Sequence, residues 1–304
     1  MAGNKGFIAG IGNTNVDLLY SGVSRLPKEG EEIYAEGFSV QLGGGIPATM
    51  IGLGRLGIEA KIATTLGEDI FSLFAKEQFL KNGVTPVNLY KGKEIALTVT
   101  SAMITKTDRT FMSYGNSPKV TDSMLEEAYN MCKGAKIVDM QKSDYLPVYK
   151  KLKEEGTIIV FDCGYDENMT LEGYKEFIDL ADYYTPNRKE AMLMTGAKTP
   201  EDAAKILSGF FEKAVVKLDG DGCIGIDNGN MFVVPSIKEY KLKDSTGAGD
   251  AFLCGFIYGI YHGYSHRDAI LLGNITGGRC ITEVGCLSAY TDEKTLLETF
   301  EKYR

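Results

Sequence analysis

The chain has 304 residues, 44% hydrophobic and 24% charged, enough to bury one large core or two modest ones and too apolar for a disordered chain. Lys plus Arg number 33 against 41 Asp plus Glu, a net charge of −8 with no basic cluster, which argues against a nucleic-acid binder. No apolar run approaches the roughly 18 residues of a spanning helix, and the start, MAGNKGFIAGIG, lacks the pattern of a signal peptide, so the expectation is a cytoplasmic protein without membrane or nucleic-acid partners.

In chain order the reading alternates strand and helix. Residues 7–12 form a buried-strand run ending in glycine, and Pro47 to Leu56 follow with apolar Met50, Ile51, Leu53 and Leu56 at helical spacing. Residues 61–66 are the next strand. Asp69 then caps a helix carrying Phe71, Phe74, Ala75, Phe79 and Leu80, which Gly83 ends. Residues 135–140 and 157–162 are strands around a helix with Leu146, Val148, Tyr149 and Leu152, and residues 214–218 are another strand. Continuous apolar strands between amphipathic helices predict a mainly parallel sheet covered on both faces. Two segments break the rhythm, about 18–42 and about 95–114. Both are β-branched and aromatic with turn residues between, and read as antiparallel hairpins forming a small β layer.

The six cysteines, Cys132, Cys163, Cys223, Cys254, Cys280 and Cys286, form no CxxC and read as reduced, buried small hydrophobes. The two histidines, His262 and His266, lie in HGYSH without a G-x-S-x-G to support a Ser-His-Asp mechanism. They read as residues of a solvated helix end.

The sharpest feature is Asp244-Ser245-Thr246-Gly247-Ala248-Gly249-Asp250, followed by an apolar run from Ala251 to Gly259. A turn composition entering a buried helix places the glycines at the helix N-terminus, where backbone N–H groups lack helical partners and the peptide dipoles favour an anion. Asp250 sits in the first turn. A carboxylate beside an anion site makes little sense as an anion ligand. It does make sense as the base that removes a proton from a hydroxyl attacking phosphorus.

The string DxTGAGD resembles the C-terminal signature of the PfkB/ribokinase family of carbohydrate kinases. Gly43-Gly44-Gly45, followed by Gly54-Arg55-Leu56-Gly57, resembles its N-terminal signature. The family usually has Asn where Ala48 stands here, which leaves the acceptor open. The resemblance implies one kinase domain over 1–304, a ribokinase-like three-layer α/β/α sandwich from 1–17, 43–94 and 115–304, with a small β-sheet lid from 18–42 and 95–114. It implies that Asn15, Asp17, Gly43 and Gly44 hold the acceptor, that Asp250 is the base, and that Gly247, Ala248 and Gly249 form the anion hole. Asn187 and Glu190 resemble the family's N-x-x-E, which acts through Mg²⁺, water and donor phosphates. Lys217, Gly220 and Gly222 lie near those phosphates, with Asp219 where glycine is more usual, and Asn274 matches an adenine-pocket Asn. Asp244, Thr246, Cys280, Glu283, Gly285 and Ser288 align with a monovalent-cation (K⁺) site found in part of the family, Glu283 replacing a common Arg.

The implied activity is ATP- and Mg²⁺-dependent phosphorylation of an alcohol on a small carbohydrate such as ribose, a ketohexose or a related polyol, by a homodimer paired through the lid. A nucleoside kinase of the same superfamily and a non-catalytic nucleotide- or sugar-binding protein are the alternatives. A Walker A loop is absent, because Gly92-Lys93 is followed by Glu94, and Gly10-Ile11-Gly12 lacks the third glycine of a dinucleotide fingerprint.

Overall fold

A computed structural model describes residues 6–304. In chain order its elements are β1 (Ile8–Ile11), β2 (Asn15–Ser21), β3 (Gly37–Leu42), α1 (Ile46–Arg55), β4 (Ala60–Thr64), α2 (Ile70–Lys81), β5 (Val84–Asn88), β6 (Thr98–Ile104) and β7 (Arg109–Gly115). Then come α3 (Asp122–Cys132), β8 (Ile137–Met140), α4 (Leu146–Glu154), β9 (Ile158–Phe161), α5 (Lys175–Ile178), β10 (Tyr183–Tyr184), α6 (Arg188–Thr195), α7 (Pro200–Leu207) and β11 (Lys213–Lys217). The chain closes with β12 (Cys223–Asp227), β13 (Asn230–Val234), α8 (Ala248–Tyr261), α9 (His266–Cys280) and α10 (Glu293–Tyr303).

The large sheet runs β13-β12-β11-β10-β9-β8-β1-β4-β5. Its strands are parallel from β11 to β5, as the apolar strand runs predict, and β12 and β13 extend it as an antiparallel edge. Side chains alternate across it. Ile8, Ile137, Val160 and Val215 face one core with α1, α8 and α9, while Ala9, Val138, Ile159 and Val216 face the other with α3, α4 and α7. Helices on both faces make three layers. Asp69 caps α2, accepting from the N–H groups of Phe71 and Ser72 at 2.9 and 3.1 Å.

The chain leaves β1 for β4 on one side and returns to β8 on the other, so the strand order reverses at β1. In open α/β sheets the crevice at the carboxyl ends of the strands flanking such a reversal is where ligands bind. A separate four-stranded sheet, β3-β2-β6-β7, stands beside it. The two expected hairpins, β2–β3 and β6–β7, are antiparallel, and parallel pairing of β2 with β6 joins them. Period-2 patterning reveals each hairpin but not which strands meet across segments 55 or more residues apart.

One expectation is corrected. His266 is 7% exposed, not solvated. Ser265 caps α9, which makes His266 its first residue and turns the ring onto the sheet. There it packs near Tyr183, Phe232 and Phe256, and its Nε2 lies 3.2 Å from the Ala214 carbonyl. Burial holds its pKa below the ordinary value. His262 stays exposed at the end of α8.

Candidate active site

The turn between β3 and α1 brings two carboxylates together. A Cβ on Gly43 would lie 3.0 Å from both Asp17 oxygens, and one on Gly44 would lie 2.5 Å from Asp250 Oδ2. Only glycine lets this backbone run between Asp17 of β2 and Asp250 of α8. Asn15 crowds the same turn, its Cβ 2.9 Å from the Gly43 position, and its carbonyl accepts from the Gly43 N–H at 2.9 Å. Gly45, just before the first residue of α1, takes a φ of 79° that suits glycine.

Charges converge on the carboxyl edge of the sheet. Burial pushes the Asp250 pKa up to about 7, the Gly45 N–H opposing and the Asp162 charge adding to it. Burial likewise lifts Asp17 to about 6. Glu190 rises to about 7, through burial and then Asp162. Burial works against the Lys217 ammonium, but Asp162, Glu190 and Asp250 outweigh it and hold its pKa above the ordinary value. Lys217 Nζ lies 3.5 Å from Asp162 Oδ1, both side chains 13% exposed. A carboxylate with a pKa near 7 is matched to general-base work at neutral pH.

At the head of α8, Gly247 takes a left-handed φ of 76°, and a Cβ there would lie 2.2 Å from that of Cys286. Ala248, Gly249 and Asp250 follow in the first turn, with no side chain capping the N-terminus. Lys217 Nζ stands 3.5 Å from the point a Gly249 Cβ would occupy, so an ammonium and the N-terminal end of α8 face the same space.

The pfkB family carbohydrate kinase profile matches residues 5–293, nearly the whole chain. The protein belongs to the pfkB family of carbohydrate kinases. It is thus a phosphotransferase with an alcohol group as acceptor. The kinase is 27% identical over 283 residues to a ribokinase of Lactococcus lactis subsp. lactis, covering 90% of each chain. It is 27% identical over 275 residues to a cytidine kinase of Thermococcus kodakarensis, covering 86% of this chain and 91% of the relative. Its fold superposes on an Arabidopsis thaliana ribokinase complexed with ribose and ATP with a TM-score of 0.82 at 23% identity, over 98% of this chain and 99% of that one.

In this kinase Asn187 and Glu190 form a capping box at the start of α6: Asn187 Oδ1 accepts from the N–H groups of Lys189 and Glu190, and Glu190 Oε2 accepts from the Asn187 N–H at 2.8 Å. Glu190 is nonetheless buried beside Asp162 and Lys217, which a surface cap would not be. Past β11 the chain turns tightly. Asp219 takes a φ of 54°, the left-handed region that glycine enters freely, and Arg188 Nε pairs with it at 2.9 Å. The Gly220 carbonyl accepts from Ser236 and Lys238 at 2.6 Å each, and a Cβ on Gly222 would meet the Val234 carbonyl at 2.2 Å. Asn274 is buried, and its Nδ2 is spent on the carbonyls of Val234 and Pro235, pinning the end of β13 to α9.

Of the aligned cation residues, Asp244, Thr246, Cys280 and Gly285 cluster around one turn, while Glu283 and Ser288 turn away from it. Glu283 pairs with Lys243 at the surface, 2.6 Å away. Ser288 Oγ donates to the Val284 carbonyl at 2.6 Å, and the Cys280 thiol points at the carbonyls of Thr246 and Cys286. Asp244 Oδ2 accepts from the Gly285 N–H at 2.9 Å, while its Oδ1 pairs at 2.6 Å with Arg109, a residue not singled out in the sequence.

Two further carboxylates join the site. Asp162 follows β9, and Asp139 lies in β8 at 0% exposure with neither oxygen partnered. Burial first, then the charges of Asp162 and Asp250, push the Asp139 pKa well up, and Lys217 and Thr49 oppose this. The signal was available: each is an acidic residue at the carboxyl end of an otherwise apolar strand. Beyond them a cleft of about 660 Å³ opens, lined by Gln141, Lys142, Asp144, Tyr165 and Tyr174 among others. Gln141 Nε2 is 3.6 Å from the point a Gly45 Cβ would occupy, next to the glycine turn.

Proposed function

We propose that the chain is an ATP-dependent sugar kinase that transfers the γ-phosphoryl group to a hydroxyl of a small polyhydroxylated acceptor. The observation that carries this is the glycine turn lying between Asp17 and Asp250, with Asp250 also in the first turn of α8. An acceptor hydroxyl on the turn reaches the base and the anion-binding amides at once. Asp17 accepts hydrogen bonds from neighbouring acceptor hydroxyls and fixes the sugar. Asp250 takes the proton of the hydroxyl that is phosphorylated. The amides of Gly247, Ala248 and Gly249, with Lys217, face the charge that develops on the transferring group.

Among the described residues no group of three or more His, Cys, Asp or Glu is placed to cage a metal. That suits Mg²⁺, which keeps several waters and binds through one or two carboxylates plus substrate phosphates. Asp162 and Glu190, buried together and already influencing each other, would hold it with the nucleotide, where it would offset phosphate charge. The cleft beyond Gln141 supports a second reading, a nucleoside acceptor whose base would extend into it.

The test is release of ADP over a panel of aldoses, ketoses, sugar acids and nucleosides, repeated with Asp250→Asn. With the true acceptor the variant should lose about 10²–10⁴-fold in kcat, the worth of a general base. ATP affinity should persist. Wild-type kcat in the variant overturns the base assignment. Turnover of nucleosides but of no free sugar selects the second reading. Tight ligand binding without turnover on the whole panel selects a binding protein.

A further inference from the structure

Arg109 opens β7 at the tip of the β6–β7 hairpin, 135 residues from Asp244 in sequence. Its Nη1 lies 2.6 Å from Asp244 Oδ1 and also donates to Thr246 Oγ1. The contact is largely shielded: the Arg109 side chain is 33% exposed and that of Asp244 14%. Asp244 Oδ1 in turn accepts from the Thr246 N–H and hydroxyl, at 3.0 and 2.7 Å, and Oδ2 from the Gly285 N–H. Thr246 is the residue before Gly247, where the amides of the anion hole begin.

We propose that Arg109 is the built-in cation of this turn: its guanidinium occupies the carboxylate that a monovalent cation would otherwise neutralise, and seating the small sheet completes the anion hole. This rests on the kinase reading given above. The aligned K⁺ site does not fit this chain, because Asp244 already faces a permanent positive charge and Glu283 is turned out to Lys243. An arginine cannot be exchanged for solvent ions and is always charged. Arg109 is a positioning residue: it reaches the reacting atoms only through Asp244 and Thr246. Its link from the small sheet to the turn makes the order of the anion-hole amides depend on where that sheet sits.

The experiment compares wild type with Arg109→Ala and Arg109→Lys in buffer whose only monovalent cation is tetramethylammonium, then with KCl, NaCl or guanidinium chloride at equal ionic strength. Wild-type kcat should not change with the cation. Arg109→Ala should lose about 10²-fold in kcat in tetramethylammonium, the scale of a misplaced reacting group, with K⁺ or guanidinium restoring much of it. Arg109→Lys should keep more activity than Arg109→Ala. A second readout needs no turnover: amide hydrogen exchange across residues 244–250 should quicken in Arg109→Ala and slow again when K⁺ is added. Strong activation of wild type by K⁺ overturns the proposal. So does wild-type kcat and exchange in Arg109→Ala, and so does a loss that no cation restores. If wild type phosphorylates nothing, the kinase reading fails by itself, and the exchange measurement still decides the role of Arg109.

Discussion

Asp250 illustrates what burial does to one carboxyl group. Its pKa is about 7 in the folded protein against an ordinary 3.8, so the folded state binds its proton more tightly than the unfolded state. The stability this proton confers is present below about pH 4 and lost as the pH rises through about 7. Removing the charge should therefore help the fold where it hurts the chemistry. Asp250→Asn should melt above wild type at about pH 8, with the gap closing as the pH falls toward 4; calorimetry across pH checks this, and an Asn variant that melts lower throughout makes Asp250 a structural cap. The same pKa predicts that kcat/KM rises with pH through about 7, because the base must be ionised. Asp17 stands across the glycine turn. Asp17→Ala should raise the acceptor KM about 10–100-fold, the worth of hydrogen bonds to a charged group, while ATP binding holds. An unchanged KM removes Asp17 from the acceptor site.

At the scale of elements, the helix that carries Asp250 is held by close backbone contact. A Cβ on Gly255 of α8 would lie 2.3 Å from Thr276 Oγ1 and 2.4 Å from the Leu272 carbonyl of α9. Gly255→Ala should cost about 1–3 kcal/mol, the usual penalty of overpacking, read as a lower denaturant midpoint, and should reduce activity by shifting α8. A variant as stable as wild type would show that α9 gives way easily. The helices α1, α2 and α8 were legible because apolar spacing, the Asp69 cap and the glycine-rich turn are local signals. The pair β12–β13 is hard to read locally, because CIGID and NMFVV lack apolar–polar alternation. Asn187 and Glu190 cap α6 through a local pairing, whereas the burial of Glu190 in the charge cluster depends on segments distant in sequence.

At the scale of the whole molecule, register sorts the small sheet into two faces. Asp17, Gln41, Thr100 and Ser113 pair across it, and Arg109 falls on the same side, with Gln41 reaching Ser288 at 2.9 Å. The opposite side carries Tyr20, Phe38, Met112 and Tyr114, which are 36%, 58%, 70% and 57% exposed. We propose that this apolar face pairs with a second copy. An apolar patch on a thin sheet marks an interaction surface. Light scattering should give a dimer for wild type and a monomer for Met112→Glu. A wild-type monomer at high concentration removes the pairing.

The DxTGAGD string and the runs of apolar residues determined by themselves the family, the mainly parallel sheet covered on both faces, and a glycine-rich helix N-terminus with Asp250 in its first turn. These depend on neighbours within a turn or two of chain, which sequence spacing encodes directly. Tertiary structure alone decided that Asp139 and Asp162 join the charge cluster, that Asn274 is spent on two backbone carbonyls, that His266 is buried, and that Arg109 reaches Asp244. Each of these outcomes depends on which segments distant in sequence come into contact. Solvent exclusion and hydrogen-bond pairing set the state of those side chains, and both are properties of the assembled layers rather than of any local stretch.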